Sequence, residues 1–210
     1  MTRTNNLSFL DTSSLLVACW RGDDRNGEQI TLDAAKEATF WSREIPRLAA
    51  TGRLILAARN HEELVKHSRS TQKADLAERA KYTLSKLAPL VKAGTVEVAG
   101  DANDPFADAV LLSVALKFRT QASLHFITQD RALARDLQRI IGFESVRPRG
   151  GQTMVISRVT SSGRVEPFAD LSRAESRGAS AASDSPSKVT SLAAEPVPKP
   201  WWERIGRIKS

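Results

Sequence analysis

Short apolar runs alternate with helical patterns along most of this chain, and that alternation constrains the fold more than any other feature. Five of the runs have the length and the flanking turn residues of buried strands. They lie within residues 7–17, 53–58, 95–98, 124–128 and 143–146. Strands that are separated by helices join into a mainly parallel sheet with the crossover helices packed on it. The sequence therefore predicts an α/β domain with helices on both faces of the sheet.

Helical periodicity fills the intervals between these runs. The first helix is predicted to begin at Thr31 as its N-cap and to kink or stop at Pro46. Asn60 and Asp104 are predicted as caps of two later helices, and Pro105 would open the second of them. The five predicted helices cover residues 31–50, 60–65, 73–92, 104–118 and 131–141.

The pattern changes after Gly150. Two strand-like stretches on either side of residues 161–163 predict a hairpin, whereas residues 169–200 are rich in Ala, Ser and Pro. Such a segment cannot bury enough apolar surface to offset its ordering entropy. Residues 201–209 place two tryptophans and two isoleucines at helical spacing among basic residues, which is typical of a docking segment. The predicted organisation is a main domain over 1–149, a hairpin extension over 150–168 and a flexible tail over 169–210 with a short amphipathic terminal segment.

Charge and cysteine content narrow the class of protein. The 210-residue chain has a formal net charge of +7, and a basic surface favours polyanions such as nucleic acids because binding releases condensed counterions. Its single cysteine, Cys19, excludes an internal disulfide, is expected to be buried and fits a reducing compartment. The polar start of the chain does not resemble a signal peptide, and no apolar run is long enough for a membrane span. We therefore expect a cytoplasmic protein.

Carboxylates follow the predicted strands at equivalent places. They are Asp11 after the first strand, Glu62 and Glu63 after the second, Asp108 in the helix after the third and Asp130 directly after the fourth. In open parallel sheets, sites form outside the carboxyl ends of the strands, so these side chains should converge. Converged carboxylates suit Mg²⁺ or Mn²⁺, and two such ions can activate a water and stabilise the leaving oxygen of a phosphodiester. A purely structural interpretation of Asp130 as a helix cap stays open.

Other catalytic classes lack their motifs in this chain. A phosphoaspartate hydrolase would need a second aspartate at position 13, where Ser13 stands. Neither the glycine-rich dinucleotide fingerprint nor the phosphate-binding lysine loop occurs. His61, His67 and His125 do not form a zinc motif and are interpreted as surface or capping residues.

Four stretches of the chain, taken in order, resemble the PIN-domain family of nucleases. They are SFLDTSSLL at 8–16, NHEEL at 60–64, FADAVLLSVA at 106–115 and FITQDRAL at 126–133, and the resemblance extends over residues 7–147. It implies a PIN-like three-layer sandwich and a Mg²⁺- or Mn²⁺-dependent endoribonuclease that hydrolyses RNA. The catalytic metal ligands that it implies are Asp11, Glu63, Asp108 and Asp130.

The resemblance also implies supporting residues and partners. Thr12 and Thr128 would orient the carboxylates, and Asp104 would join a second metal ion. Glu63 takes the second acidic position because a leucine follows it, with Glu62 as the fallback. RNA is the expected substrate. The resemblance fits either a toxin or a stand-alone RNA-processing enzyme. In the first case an antitoxin, or another protein partner, would bind the terminal segment. A homodimer is left open. The alternative is a non-catalytic PIN-like module that binds RNA or protein.

Overall fold

The computed structural model of the protein describes residues 5–22, 29–104, 106–148 and 150–168. The predicted flexible tail and its amphipathic terminal segment lie outside the described residues. Among the residues that are described, no helix is both long enough and apolar enough to cross a membrane.

A six-stranded sheet organises the described part of the chain. Its strands are β1 (Asn6–Leu10), β4 (Arg53–Ala57), β5 (Glu97–Ala99), β6 (Ser123–Ile127), β7 (Met154–Val159) and β8 (Val165–Pro167). Their order is β5-β4-β1-β6-β7-β8, and every neighbouring pair is parallel except β7 with β8. A separate antiparallel pair joins β2 (Trp20–Arg21) to β3 (Thr31–Leu32). The predicted α/β class with a mainly parallel sheet is confirmed.

Seven α-helices in the described residues connect these strands. They are α1 (Thr12–Val17), α2 (Ala34–Thr39), α3 (Ile45–Thr51), α4 (Ala58–Ser68), α5 (Ala74–Lys92), α6 (Ala107–Phe118) and α7 (Arg131–Gly142). The chain runs outward from β1 through β4 to β5 and then returns to β6 on the other side of β1. Because parallel crossovers keep one hand, this reversal sends α6 and α7 to the face opposite α4 and α5. The switch of direction beside β1 opens a crevice at the carboxyl ends of the strands.

Both faces of the sheet are buried. Side chains alternate across a strand, so the parallel register brings Leu10, Leu56 and Ile127 together on the face that packs against α1, α4 and α5. On the other face, the rings of Phe9 and Phe126 stack with their centroids 5.2 Å apart. Each such side chain contributes about 1.5–3 kcal/mol when it is fully buried. This two-sided core fixes the register that brings the ends of β1, β4 and β6 side by side.

The segment predicted as one helix over residues 31–50 is divided in the structure. Thr31 lies in β3, and the cap of α2 is Asp33, whose side chain accepts a hydrogen bond of 3.0 Å from the Lys36 amide. A π-helical turn, Phe40–Glu44, then leads into α3. Pro46 lies in the first turn of α3, directly after this π-helical turn. The backbone stays helical from Ala34 to Thr51, so the proline does not end the helix, and a change of hydrogen-bond pattern lies just before it.

Three other local predictions are wrong. Asn60 is inside α4, whose N-cap is Ala57, and α6 is capped by Phe106 and not by Asp104. The run at 143–146 forms a 3-10 turn, Glu144–Val146, because its apolar residues are separated by polar ones and are not buried. The fifth parallel place is taken by β7, which also forms the antiparallel hairpin with β8.

His125 gives the fold a pH dependence that can be measured. The sequence interpretation of this residue as a surface or capping histidine is wrong, because it is partly buried in β6 and its Nε2 lies 2.8 Å from the Ser157 hydroxyl. Burial and the nearby charge of Arg47 lower the pKa of His125 to about 4, against the smaller opposite effect of Glu44.

We expect the His125 ring to destabilise the fold in acid. The unfolded chain takes up a proton near pH 6.5, but the folded protein does not until about pH 4. The contribution of neutral His125 to the free energy of unfolding is therefore complete above pH 6.5. It declines by up to about 3 kcal/mol as the pH falls to 4. Urea unfolding of wild type and His125→Gln across this range measures it, because other titrating groups are shared. Equal pH slopes for the two proteins would contradict this expectation.

Candidate active site

Asp11 lies at the switch point of the sheet, the place beside β1 where the order in which the chain adds strands reverses. It directly follows β1, and its amide donates a hydrogen bond of 3.0 Å to the carbonyl of Ile127 at the end of β6. The residue occupies the N-cap position of α1, but its side chain makes no capping hydrogen bond. With only 5% of its surface exposed, the carboxylate needs hydrogen-bond donors from elsewhere in the chain.

Three side chains supply those donors. Asn60 Nδ2 donates to Asp11 Oδ1 at 2.9 Å, Thr128 Oγ1 donates to Oδ2 at 2.8 Å, and the Ser13 hydroxyl donates to the same Oδ2. Burial raises the pKa of Asp11, the hydrogen bonds from Ser13 and Thr128 oppose that rise, and the negative charge of Glu63 adds to it. The carboxylate is therefore fixed in one orientation.

Asp130 both caps a helix and contributes to the same site. Its Oδ1 accepts hydrogen bonds from the amides of Ala132 at 2.6 Å and Leu133 at 3.2 Å, which begins α7. Its own amide donates to Thr128 Oγ1 at 2.9 Å, so one hydroxyl links Asp130 to Asp11. The capping role of Asp130 is confirmed, and it uses Oδ1 alone.

Two further carboxylates come from helices. Asp108 lies in the first turn of α6, and a large share of its surface is exposed. Partial burial in the cleft raises its pKa to about 6, with further increases from the charges of Asp11, Asp130 and Glu63. Glu63 projects from α4 and lies 3.9 Å from His67 Nε2. The adjacent Glu62 is exposed.

All four predicted carboxylates line one cleft of about 370 Å³ at the switch point. Its lining consists of Asp11, Thr12, Ser13, Leu16, Arg59, Glu63, His67, Phe106, Ala107, Asp108 and Asp130. Neither Glu62 nor Asp104 is in this lining. A larger cleft of about 540 Å³ lies around Arg119 and the start of β7, where Glu144 is the one carboxylate among the described lining residues.

The supporting residues differ from what the sequence predicts. Thr128 does orient a carboxylate, but Thr12 contacts Asn60 instead, donating to its carbonyl at 3.3 Å and accepting from its Nδ2 at 3.1 Å. Ser13 takes the place expected of Thr12 beside Asp11. Asp104 is not in the cleft lining. Its own burial and the charge of Asp101 raise its pKa, and the positive charge of Arg59 opposes that rise.

Sequence reasoning missed Arg59, His67 and Asn60. Arg59 and His67 lie four positions before and after the predicted Glu63 along α4, so the three share one helical face, and all three line the cleft. That spacing was a usable signal in the sequence. Asn60 could not be found in this way, because its contact with Asp11 spans 49 positions of the chain.

The donor set bears on whether a metal ion fits. Among the described residues, no group of three or more Asp, Glu, His or Cys side chains is arranged so that it could hold an ion. Mg²⁺, however, commonly keeps several waters and takes only one or two carboxylates directly. Fixed Asp11 and exposed Asp108 in one cleft match the chemistry of such a hydrated, hard cation and do not match an enclosed cage.

Comparison of the chain with protein-family models, with curated proteins and with solved structures gave no match. The fold and the cleft define the structural class of this protein. It is an α/β domain with a mixed, mainly parallel six-stranded sheet and an acidic cleft at the switch point of that sheet.

We expect Asp108→Asn to stabilise the protein in EDTA. The negative charges around Asp108 repel its carboxylate, and screening by solvent reduces the gain from removing that charge to about 1 kcal/mol. For a domain of this size, the melting temperature should rise by about 2–4 °C. Glu62→Gln is the matched control, because it removes a similar exposed charge outside the cleft lining. A lower melting temperature for Asp108→Asn, or an equal rise for both variants, would show that charge repulsion in the cleft is not significant.

Proposed function

We propose that this protein is a PIN-type endoribonuclease that hydrolyses RNA phosphodiesters with Mg²⁺ or Mn²⁺. The observation that carries the proposal is the convergence of carboxylates from four separate elements on one cleft, namely Asp11, Glu63, Asp108 and Asp130. Helix capping accounts for only one of the four. Carboxylates gathered in this way repel one another, and a cation among them removes that cost.

The charge distribution supports a polyanionic substrate. The chain as a whole carries a formal charge of +7, although the cleft is acidic. A basic protein attracts RNA from a distance, and a divalent cation in the cleft would offset the repulsion between the carboxylates and the phosphate that is cut. Arg59, which lines the same cleft, adds a positive group beside them.

The residues of the cleft would have different roles in binding the metal ion and the RNA phosphate. Asp11, fixed by its three donors, would be the rigid ligand, and Asp108, Asp130 and Glu63 would complete the ion's surroundings through direct contacts or through water. The cation itself supplies charge that favours ionisation of an attacking water and stabilises the leaving oxygen. Asp130 lies at the N-terminus of α7, where the helix dipole favours a phosphate.

A second candidate function is a non-catalytic PIN-like module that binds RNA or protein. It is favoured by the absence, among the described residues, of a ready three-ligand metal group, and by the use of both Asp11 oxygens in hydrogen bonds. Among enzymes, the toxin of a toxin–antitoxin pair and an RNA-processing nuclease are both compatible with the cleft. Three further proposals rest on the same resemblance and on the amino-acid sequence: an antitoxin or other protein partner, a homodimer, and a cytoplasmic location.

The direct test is cleavage of total RNA by the full chain. We expect products with Mn²⁺ or Mg²⁺, none in excess EDTA, and none from Asp11→Asn in either condition. Activity that persists in EDTA would contradict the role of the metal. The absence of cleavage by wild type, together with retained RNA binding, would favour the non-catalytic module.

Glu63 and Glu62 provide the sharpest pair of variants. Consecutive helical residues point about 100° apart, and only Glu63 lines the cleft. We expect Glu63→Gln to lower the cleavage rate by more than about a hundredfold, since even the partners of metal ligands cost about 10- to 100-fold. Glu62→Gln should keep most of the activity. If Glu62→Gln abolishes cleavage and Glu63→Gln does not, the assignment of the second acidic residue is wrong.

A further inference from the structure

Phe106 is the most exposed of the large hydrophobic side chains that the structure describes, with 71% of its surface accessible. It is the N-cap residue of α6, and its carbonyl accepts a hydrogen bond of 3.3 Å from the Val110 amide. A single exposed phenylalanine is ordinary on a protein surface. This one lines the carboxylate cleft and stands two positions before Asp108. Its position, and not its exposure alone, calls for an explanation.

Arg59 lies in the lining of the same cleft. It belongs to the first turn of α4, one helical turn before Glu63, and its Nη1 donates to the carbonyl of Ala102 at 3.4 Å. This contact ties α4 to the loop that leads towards α6. None of the ion pairs formed within the described ranges involves Arg59. Its one hydrogen bond within the described ranges uses Nη1, so other N–H groups of the guanidinium can bind a phosphate, in competition with the nearby charge of Asp104.

The surroundings of Phe106 favour a nucleic acid over an apolar protein surface. An apolar partner needs a contiguous apolar patch, whereas the cleft beside this ring is lined mainly by charged and polar groups, among them Arg59, Asp108 and Asp130. A nucleotide presents a flat base next to a charged phosphate. That combination matches an aromatic ring beside a cation.

We propose that Phe106 and Arg59 form the substrate-binding rim of the cleft, with the Phe106 ring stacking on an unpaired base and Arg59 binding a neighbouring phosphate of single-stranded RNA. The inference rests on the proposed function, because it takes the carboxylate cleft as the place where RNA binds. In a duplex, both faces of each internal base are covered by its neighbours. The rim therefore selects single-stranded or looped RNA.

The test is fluorescence anisotropy of a labelled single-stranded RNA 12-mer and of the matched duplex, with the full chain in EDTA at low salt. Phe106→Ala should weaken single-strand binding about 5- to 150-fold, the range found for loss of a base–aromatic stack. Phe106→Tyr should restore it. The control is Phe143→Ala, which removes a ring that is 50% exposed and lines the other cleft.

The arginine is tested by the salt dependence of the same binding. Arg59→Ala should reduce the slope of log affinity against log salt by about 0.7, as expected for one phosphate contact on a single strand. Arg43→Ala is the control, since Arg43 is exposed but is not in the cleft lining.

Two results would overturn the proposal: unchanged single-strand binding by Phe106→Ala, or equal losses in Phe106→Ala and Phe143→Ala. Because the RNA stays uncut in EDTA, the outcome does not depend on catalysis. Loss of binding in Phe106→Ala, in a protein that does not cleave RNA with Mn²⁺, would support the rim and contradict the proposed hydrolysis.

Discussion

The buried carboxylate of Asp11 is the interaction on which the rest of the site depends. A carboxylate that is only 5% exposed is costly unless donors satisfy it. Its donors come from three parts of the chain: α1 through Ser13, α4 through Asn60 and the loop after β6 through Thr128. These hydrogen bonds hold the ends of the two central strands and the start of α4 in one arrangement. The same contacts position Glu63, which lies on α4, and Asp130, whose amide donates to Thr128 Oγ1.

The cleft combines two opposing demands. Hydrogen bonds stabilise the ionised form of Asp11, but burial and the charge of Glu63 act against it. Burial and the negative charges of four acidic residues raise the pKa of Asp108 to about 6. Groups that are this strongly perturbed in a cleft are more common at functional sites than elsewhere. An arrangement that disfavours its own charges without a cation is one that a cation can stabilise.

Strong local patterns made much of the fold predictable. The strands β1, β4 and β6 are short apolar runs, and α5 and α7 carry buried, mostly apolar residues at helical spacing. Once these elements alternate, the parallel sheet and the edge where its acidic residues gather follow from general rules of chain topology. For this reason, the amino-acid sequence alone is enough to expect Asp11, Asp108 and Asp130 at one edge of the sheet.

The wrong predictions have a common physical origin, because local sequence does not specify long-range contacts. Asn60 has the residue type of a helix cap, but its amide is used 49 positions away on Asp11.

Thr31 and the run at 143–146 illustrate the same limit. Thr31 is plausible as a helix cap, yet it pairs with Arg21 in a strand of only two residues. The run at 143–146 has an apolar residue at each end, but the place beside β6 is filled by β7. Each of these outcomes depends on a partner that periodicity cannot reveal.

Binding of a divalent cation in the carboxylate cleft is the central claim. Isothermal titration of Mn²⁺ into the full chain, repeated with Asp108→Asn and with Glu62→Gln, tests it most directly. We predict saturable binding to wild type and to Glu62→Gln, and binding at least about tenfold weaker in Asp108→Asn, since one ligand charge is lost. Equal Mn²⁺ binding by all three proteins, or no saturable binding to wild type, would contradict it.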